Sequence, residues 1–442
     1  MEFWSIPVGD KYILYRPLLR RAFVGNQAMA RLVKDVVVGN DPQDASLPPA
    51  LAGFLRDIGF LDPDPQPPLP PQEDYRPAHA VLLLTNRCNL RCIYCYANAG
   101  EGSDQEVPID LARAAIDVAY HNARERGQAQ FSLTFHGGGE PVLAWEVLRQ
   151  AVQFARTKDL PCYVSLVSNG LWTRSQTEWL MQQLDGLTLS LDGTPKTQDR
   201  QRPTASGQGT FRRVFKTLQA LDRQGFSYNI RMTALPPWRE QLARDVAFLC
   251  EETGCQKIQV EPAFNSDRGR YQPPSLYQAE EFAAGFMEAF EVAARRGRQL
   301  YFSGARPWLL TTSFCTAPFG ALIVTPRGDL VTCYEVTDPG HPLAGLLTIG
   351  RLDGRQVIVD ETRRAAVLAR LRARRESCRK CFCYWHCAGD CHVKAFYPGS
   401  KADPEQDTRC QMNRRILAEM LLWSIAASAD GVYRGEEVAV YG

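Results

Sequence analysis

Between residues 80 and 304, short apolar segments alternate with longer amphipathic segments, and no other feature constrains the fold as strongly. Short apolar runs bounded by turn residues are typical of buried strands, and apolar residues at helical spacing are typical of helices packed on one side. The predicted strands are 80–85, 131–136, 162–168, 187–191, 228–234 and 257–261. The predicted helices are 109–126, 144–157, 173–184, 211–225, 238–253 and 277–296. This pattern predicts an α/β fold, an open or partial barrel of six units with its chemistry at the carboxyl ends of the strands.

Residues 1–61, which precede the barrel, are predicted to form a small α/β domain. A strand is expected at 11–17, and helices at 27–38 and 51–61. A linker, 62–79, should follow, because seven prolines between Asp62 and Pro77 hold the chain extended.

The alternation stops near residue 305, so we assign the barrel to 80–304 and a further domain to 305–430. Eight of the fourteen cysteines lie between residues 310 and 410, among turns and short strands, and a helix at 411–427 should close the domain. Residues 431–442 are taken as a tail.

Composition limits the classes of partner. The chain starts without a basic segment followed by an apolar one, so we expect a cytoplasmic protein in which a disulfide framework is a poor explanation for fourteen cysteines. Metal or cluster ligation explains them better. A net charge of +2 favours neither a nucleic-acid partner nor a membrane, and Met420–Ala429, an apolar stretch free of charge, is too short to span a bilayer.

Cys88, Cys92 and Cys95 follow the first barrel strand directly. Three thiolates can hold three irons of a cubane cluster and leave the fourth iron open to a substrate. Zinc is the alternative, but it would need a fourth ligand at close spacing, and no histidine lies nearby in the sequence.

This CX3CX2C spacing, with an aromatic residue before the last cysteine, resembles the radical S-adenosylmethionine (SAM) superfamily. Matching segments follow at the ends of the later strands, in the order that the family has. They are HGGGEP at 136–141, SNG at 168–170, SLDG at 190–193, Arg231 in the fifth strand, and VEP at 260–262. Each segment alone is a common turn or strand sequence, but the ordered set covers about residues 80–300.

The resemblance implies a SAM site and a 5′-deoxyadenosyl radical that abstracts hydrogen from the substrate. The implied SAM-binding residues are Tyr94, Gly137, Gly138, Gly139, Glu140, Ser168, Asn169, Ser190, Arg231, Val260 and Glu261. The glycines would let the backbone approach the methionyl end of SAM, and Arg231 would pair with its carboxylate. The implied ligands of the SAM-binding 4Fe–4S cluster are Cys88, Cys92 and Cys95.

The later cysteines resemble the SPASM extension of radical SAM enzymes, which carries auxiliary iron–sulfur clusters. The resemblance implies three 4Fe–4S clusters in all. A distal cluster would use Cys378, Cys381, Cys387 and Cys410, and a proximal cluster would use Cys315, Cys333 and Cys391. Some family members have another cysteine just before the position of Cys315, where this chain has Thr311, Thr312 and Ser313, so the proximal cluster is predicted to have an open site or a different ligand.

Four cysteines lie outside these assignments. Cys383 lies outside the SPASM cysteine pattern and is either a further cluster ligand or a neighbour of one. The other three are predicted to be buried core thiols: Cys162, Cys250 and Cys255. A zinc ribbon remains the alternative for the second group of cysteines.

SPASM proteins mostly act on peptides, so the resemblance implies an enzyme that modifies a ribosomally made precursor peptide by forming a crosslink or ring. A reductant such as flavodoxin or ferredoxin would be its partner. Residues 1–61 loosely resemble a winged-helix-like peptide-recognition domain, which would bind a leader peptide by strand addition; a simple capping domain is the alternative. The alternative functions are formylglycine formation by a sulfatase maturase, a non-catalytic electron-transfer protein with several clusters, and a zinc-stabilised binding protein. No general base is assigned.

Overall fold

The computed structural model describes residues 1–38, 47–101, 104–354, 356–401 and 403–435. The chain opens with three antiparallel strands, β1 (Trp4–Val8), β2 (Lys11–Arg16) and β3 (Arg21–Gly25), followed by α1 (Gln27–Val38) and α2 (Pro49–Asp57). The predicted strand at 11–17 and the helix at 27–38 are confirmed. The predicted helix at 51–61 ends earlier, at Asp57, because Gly59 takes a positive φ of 65° that turns the chain away.

Six strand–helix units follow, as predicted, and each predicted element is confirmed to within three residues at either end. The strands are β4 (His79–Leu82), β5 (Phe131–Phe135), β6 (Cys162–Ser168), β7 (Gly186–Ser190), β8 (Asn229–Ala234), β9 (Lys257–Pro262) and β10 (Gln299–Tyr301). The helices are α3 (Ile109–Glu125), α4 (Trp145–Arg156), α5 (Arg174–Gln183), α6 (Pro195–Gln201), α7 (Phe211–Arg223), α8 (Gln241–Glu252) and α9 (Leu276–Arg295). A 3-10 turn, Pro141–Ala144, precedes α4, while α6 and β10 were not predicted.

The remaining elements are short, apart from two long helices. They are α10 (Ala317–Gly320), β11 (Ala321–Val324), β12 (Asp329–Val331), α11 (Ala344–Leu347), β13 (Thr348–Asp353), β14 (Gln356–Val359), α12 (Glu361–Ser377), α13 (Tyr384–Cys387), α14 (His392–Phe396), α15 (Thr408–Ala427) and β15 (Val432–Arg434). Helix α15 confirms the predicted closing helix at 411–427.

One large sheet carries the barrel and continues into the second cysteine region. Within the described part of the chain its order is β10-β9-β8-β7-β6-β5-β4-β11-β12-β13-β14, and β4 to β10 are parallel. Strand β11 pairs in parallel with β4, so the two predicted domains share a sheet across the expected boundary at 305. The fold is therefore an open parallel α/β barrel, with the second cysteine region attached at the first barrel strand.

A second sheet joins the two ends of the described chain in the order β1-β2-β3-β15. One face packs on α1 and α2 around Leu14 and Phe23, and the other packs on α15 through Leu421 and Ile425. The buried Tyr15 hydroxyl is 2.5 Å from Nε2 of His386, which lies in α13 beside Cys387. The N-terminal unit is thus packed firmly on the cysteine-rich region.

No helix in the described ranges has the length and apolar character needed to cross a membrane.

Candidate functional site

The first cysteine loop leaves the carboxyl end of β4 and is held by backbone hydrogen bonds. The N–H groups of Arg91 and Ile93 donate to the carbonyls of Pro203 and Gln201, at 2.8 and 3.0 Å. Arg268 donates to the carbonyl of Cys92 at 2.8 Å. These bonds hold the loop on both sides of Cys92.

The three thiols of this loop lie within electrostatic reach of one another. Burial raises the pKa of Cys88 to about 12 and that of Cys92 to about 11, and neighbouring cysteines add to both shifts. Thiols that resist ionisation in the free protein become thiolates when a cationic metal centre binds them. Cys88, Cys92 and Cys95 are therefore brought together in a form that suits an iron–sulfur cluster.

The glycine run after β5 packs against the chain that leads to Cys88. Backbone N–H groups of Gly139 and Glu140 donate to the carbonyls of Thr85 and Arg87, at 2.6 and 2.8 Å. A Cβ at Gly139 would lie 2.6 Å from the carbonyl carbon of Arg87, and one at Gly138 would lie 2.7 Å from the Thr85 oxygen. The glycines are thus needed for this packing, and contact of Gly137, Gly138 and Gly139 with SAM stays a prediction.

Glu140, Ser168 and Asn169 come together at the ends of β5 and β6. Glu140 is 3% exposed, and its two carboxylate oxygens accept hydrogen bonds from the Ser168 hydroxyl at 2.5 Å and the Asn169 N–H at 2.8 Å. Burial raises the pKa of Glu140, and these hydrogen bonds act against the rise. The Asn169 side chain also donates to Asn89 in the cysteine loop at 2.8 Å. These residues tie the strand ends to the loop, and their contact with SAM stays a prediction.

The Tyr94 side chain is bound in a polar network beneath the cysteine loop. Its hydroxyl donates to Asp192 at 2.5 Å and accepts from Arg202 at 2.7 Å. Asp192 is fully buried and also accepts from Gln201 at 2.9 Å and from the N–H of Thr233 at 3.0 Å. Burial raises the pKa of Asp192, and Arg202 acts most strongly against the rise. Sequence reasoning missed Gln201 and Arg202, because polar residues of a short helix carry no periodic signal.

Arg231 lies in β8 beside Ser190 of β7, its partner in the sheet register. Its Nη1 is 3.4 Å from Nε2 of His136, whose ring stacks on Tyr334 at 4.6 Å between centroids. Burial lowers the pKa of His136 to about 3, and Arg231 acts in the same direction. The neutral imidazole can therefore accept from the guanidinium. His136 and Tyr334 were missed, although His136 begins the glycine motif.

The last two predicted SAM residues lie in β9. Val260 is fully buried and pairs with Met232 of β8, while Glu261 accepts from Gln259 at 2.9 Å and from the N–H of Ser303 at 3.2 Å. Both lie in the strand next to Arg231, and their contact with SAM stays a prediction.

Cys315, Cys333 and Cys391 form a second group on the side of Tyr334. Burial raises the pKa of Cys333, and Glu335, Cys391 and Cys315 add to the rise, so both of the other thiols lie within electrostatic range of Cys333. Beside them Lys394 forms a half-buried ion pair with Glu335 at 2.9 Å. Lys394 was not singled out by the sequence.

The hydroxyls that stand where a fourth proximal cysteine would be are all bound to backbone carbonyls. Thr311 donates to Ser313 at 2.8 Å, Thr312 to Leu69 at 3.0 Å, and Ser313 to Cys315 at 2.7 Å. Any of the three would lose this hydrogen bond on becoming an alkoxide ligand, because ionisation removes the hydrogen that it donates.

Five cysteines line a cavity between α12, α13 and α15. They are Cys378, Cys381, Cys383, Cys387 and Cys410. Arg374 donates to the Cys410 sulfur at 3.2 Å, and Asn413 donates to the Cys387 sulfur at 3.6 Å. Such donors stabilise and tune cluster thiolates. Arg374 and Asn413 were missed, since long-range partners of a cysteine leave no local pattern.

These groups fit clusters better than single ions. In the described ranges, no three His, Cys, Asp or Glu side chains gather as tightly as one metal ion requires. A zinc ion would need four donors at about 2.0–2.3 Å. The cysteines that line the cavity, with N–H donors to two of their sulfurs, are the donor set that an iron–sulfur cluster uses. Cys162, Cys250 and Cys255 are buried in the barrel core, as predicted.

Comparisons with known proteins agree with this geometry. The Radical SAM superfamily matches residues 82–249. The sporulation killing factor maturation protein SkfB of Bacillus subtilis (strain 168) is 26% identical over 286 residues, which cover 61% of this chain and 64% of that protein. The serine-type anaerobic sulfatase-maturating enzyme of Klebsiella aerogenes is 24% identical over 349 residues, 72% of this chain and 81% of that protein.

The solved structure of native anSMEcpe with bound AdoMet shares the fold, with a TM-score of 0.60 at 16% identity over 77% of this chain and 96% of that one. The chain spans between 41% and 64% of the length of the first three curated relatives. The family implies SAM and a 4Fe–4S cluster as cofactors. The cysteine loop after β4 and the glycine loop after β5, together with this match, identify residues 82–249 as a radical SAM domain.

Proposed function

We propose that this chain is a radical SAM enzyme that modifies a ribosomally made precursor peptide, forming a crosslink or ring after hydrogen abstraction. The observation that carries the proposal is the arrangement of three cysteine groups, one at the carboxyl end of β4 and two on the adjoining region that extends the same sheet. Two relatives bear the names of maturation enzymes, which supports a polypeptide substrate here.

Cys88, Cys92 and Cys95 would hold the SAM-binding cluster, which supplies the electron for reductive cleavage of SAM to methionine and a 5′-deoxyadenosyl radical. Arg231 would bind the SAM carboxylate, because its guanidinium contacts an uncharged His136, whose ring does not neutralise it. Glu140 and Asp192 would fix the surrounding loops through their buried hydrogen bonds.

The reacting part of the peptide would lie between the first and the proximal cysteine groups. His136, Arg231 and Tyr334 meet there, and Tyr334 directly follows Cys333. Packed rings in this region would exclude water and stray hydrogen donors from a radical. A proximal cluster held by Cys333 would then be well placed to exchange an electron with the substrate.

The N-terminal sheet would bind the leader segment of the peptide by strand addition. Strand β15 already pairs with β3, whereas no strand of the described ranges covers the outer edge of β1. Pro7 removes one N–H donor from β1, so pairing would depend on the residues around it. We therefore place leader binding at β1.

The test begins with anaerobic reconstitution, which should give brown protein with about twelve irons per chain if all three cysteine groups hold cubanes. With SAM and a reductant such as flavodoxin or ferredoxin, it should release 5′-deoxyadenosine. Replacing Cys88, Cys92 and Cys95 together by Ala should abolish that release, whereas Cys250→Ala, a buried core thiol, should retain it. Release by the triple variant would contradict the assignment, and colourless protein with stoichiometric zinc would exclude the enzyme.

Formylglycine formation is the second candidate, because the sulfatase-maturating relative covers more of this chain than SkfB does. Mass spectrometry separates the two after reaction. A sulfatase peptide whose Cys or Ser becomes an aldehyde would favour the second candidate, and a crosslink in a precursor peptide would favour the first. A non-catalytic electron-transfer protein would release no 5′-deoxyadenosine with either peptide.

A further inference from the structure

We propose that Arg306 is a positioning residue shared by the two auxiliary cysteine groups, and that its charge stabilises the reduced state of the clusters bound there. The proximal group is the one that contains Cys315, and the distal group is the one that contains Cys387. The inference rests on the part of the proposed function in which both groups hold iron–sulfur clusters. It assigns a role to a charged residue that belongs to neither cysteine pattern.

The guanidinium of Arg306 bridges the two groups through the backbone. Its Nη2 donates to the carbonyl of Phe314 at 3.3 Å and to the carbonyl of His386 at 3.4 Å. Phe314 directly precedes Cys315, and His386 directly precedes Cys387. Both thiols also lie within electrostatic range of the guanidinium. One side chain therefore contacts a cysteine-bearing segment of each group.

Further hydrogen bonds hold the segment 306–315 against α13. Nδ1 of His386 donates to the carbonyl of Leu309 at 2.8 Å, because a carbonyl oxygen can only accept. The N–H of Thr311 donates to the carbonyl of Trp385, also at 2.8 Å. The two segments are therefore held side by side, one carrying a cysteine of the proximal group and the other a cysteine of the distal group.

The charge of Arg306 has no ion-pair partner in the described ranges. Glu261 and Asp390 lie within electrostatic range, but Asp390 is paired with Arg409 at 2.6 Å. The Nε–H of Arg306 is buried and has no hydrogen-bond acceptor among the described residues. A buried donor without an acceptor, on a cation without an ion-pair partner, indicates that an anionic group completes the site. A cluster with thiolate ligands is an anion of this kind.

A cation held at this place should act on the reduction of both clusters. A cluster that takes up one electron gains one unit of negative charge, so a neighbouring positive charge favours its reduced form. Away from bulk water this attraction is screened only weakly. Because Arg306 contacts both groups, it should raise both reduction potentials. We expect an effect of about tenfold on each reduction equilibrium, which is about 59 mV for a one-electron couple.

Redox titration with dithionite, followed by electron paramagnetic resonance, measures these potentials in the reconstituted full-length chain. Its parent is the variant Cys88→Ala/Cys92→Ala/Cys95→Ala, so that only the two auxiliary clusters contribute. Arg306→Gln removes the charge and keeps an amide donor, and it should lower both potentials by about 59 mV. Arg306→Lys keeps the charge without the planar fork of donors, and it should keep both potentials of the parent.

Arg364→Gln is the matched control. Arg364 is 6% exposed, donates to a backbone carbonyl and lies 5.1 Å from the centre of the Tyr75 ring, as Arg306 lies 5.1 Å from that of Phe314. It stands in the first turn of α12, roughly 20 Å along the helix from Cys378. Its replacement should leave both potentials unchanged.

Equal potentials in Arg306→Gln and the parent, a shift of one potential only, or the same shift in Arg306→Lys or Arg364→Gln would overturn the proposal. A parent that takes up no iron would overturn it too. So would an equal loss of iron from Arg306→Gln and Arg306→Lys, because the effect would then follow the hydrogen bonds and not the charge. Loss of iron from Arg306→Gln alone would support it, since cluster binding would then need the charge.

Peptide modification is measured separately, with protein that retains all its cysteines. Protein that modifies no peptide, although its Arg306 variants show these shifts, would refute the proposed function and leave the role of Arg306 intact. Protein that modifies the peptide without these shifts would refute the role of Arg306 alone.

Discussion

Gly139→Ala should separate the packing role of the glycine run from conformational freedom of its backbone. Gly137 and Gly138 take positive φ values of 83° and 66°, which disfavour any side chain. Gly139 is not among the residues with positive φ, so alanine suits its backbone, and only space opposes the substitution. The added methyl group tests one contact, between the glycine loop and the chain entering the first cysteine loop.

The expected cost follows from the distances. A Cβ at Gly139 would lie 2.6 Å from the carbonyl carbon of Arg87 and 2.7 Å from that of Asn86, whereas ordinary contacts begin near 3.4 Å. These are backbone atoms, and the Arg87 carbonyl oxygen would lie closer still, so the chain must move by about an ångström. Overpacking of this kind costs about 3 kcal/mol. For a domain of about 200 residues, such a loss lowers the melting temperature by roughly 6–12 °C.

Thermal unfolding followed by circular dichroism measures the effect. Gly53→Ala is the matched control, because Gly53 lies within α2 and its added Cβ would meet no atom within 4 Å. Alanine there should raise stability slightly, by about 0.5–1 kcal/mol. SAM binding should weaken in Gly139→Ala alone, since the shifted segment leads to Cys88. A Gly139→Ala variant that has the melting temperature of the unmodified protein and binds SAM equally well would refute the packing role of Gly139.

Asp192→Asn should lower the free energy of unfolding by about 3 kcal/mol in chemical denaturation, because it leaves the buried Arg202 without its carboxylate; an unchanged midpoint would contradict this. Burial lowers the pKa of His79 to about 4, so below pH 6.5 the unfolded chain binds a proton that the folded chain does not. As the pH falls from about 6.5 to 4, the free energy of unfolding should fall by up to about 1.4 kcal/mol per pH unit. The variant His79→Gln should show a smaller slope, and equal slopes in the two proteins would contradict the lowered pKa of His79. Tyr15→Phe should lower the free energy of unfolding by about 1–3 kcal/mol and speed amide exchange around His386, which loses its buried hydrogen-bond partner. Unchanged exchange would show that this bond does not hold the N-terminal unit on the cysteine-rich region.

The barrel could be predicted because its signal is local. Each of the six strands is a short apolar run, and each long helix has an apolar stripe, so the periodicity alone located them. Helix α6 escaped prediction because it has no such stripe. Its buried residues are polar, and Gln198 and Gln201 are there to hydrogen-bond Asp192.

The sequence predicted the candidate site only where its residues belong to motifs that follow one another along the chain. Spacing grouped Cys88, Cys92 and Cys95, and the strand ends placed Glu140 and Arg231 near them. Arg202 and His136 could not be assigned, because their roles depend on partners about 100 residues away in the chain, Tyr94 and Arg231. Such pairs arise from the fold, and no window of sequence contains both members.

The fourth strand of the small sheet has a consequence for how the protein is made. Arg21 of β3 pairs with Arg434 of β15, so β3 emerges from the ribosome long before its partner β15 is synthesised. At about 5–20 residues per second, the wait is roughly 20–80 s. During that time the nascent chain displays an open strand edge that can pair with other chains. Yield of soluble protein should therefore depend on chaperone supply and growth temperature more than on the stability of the finished fold.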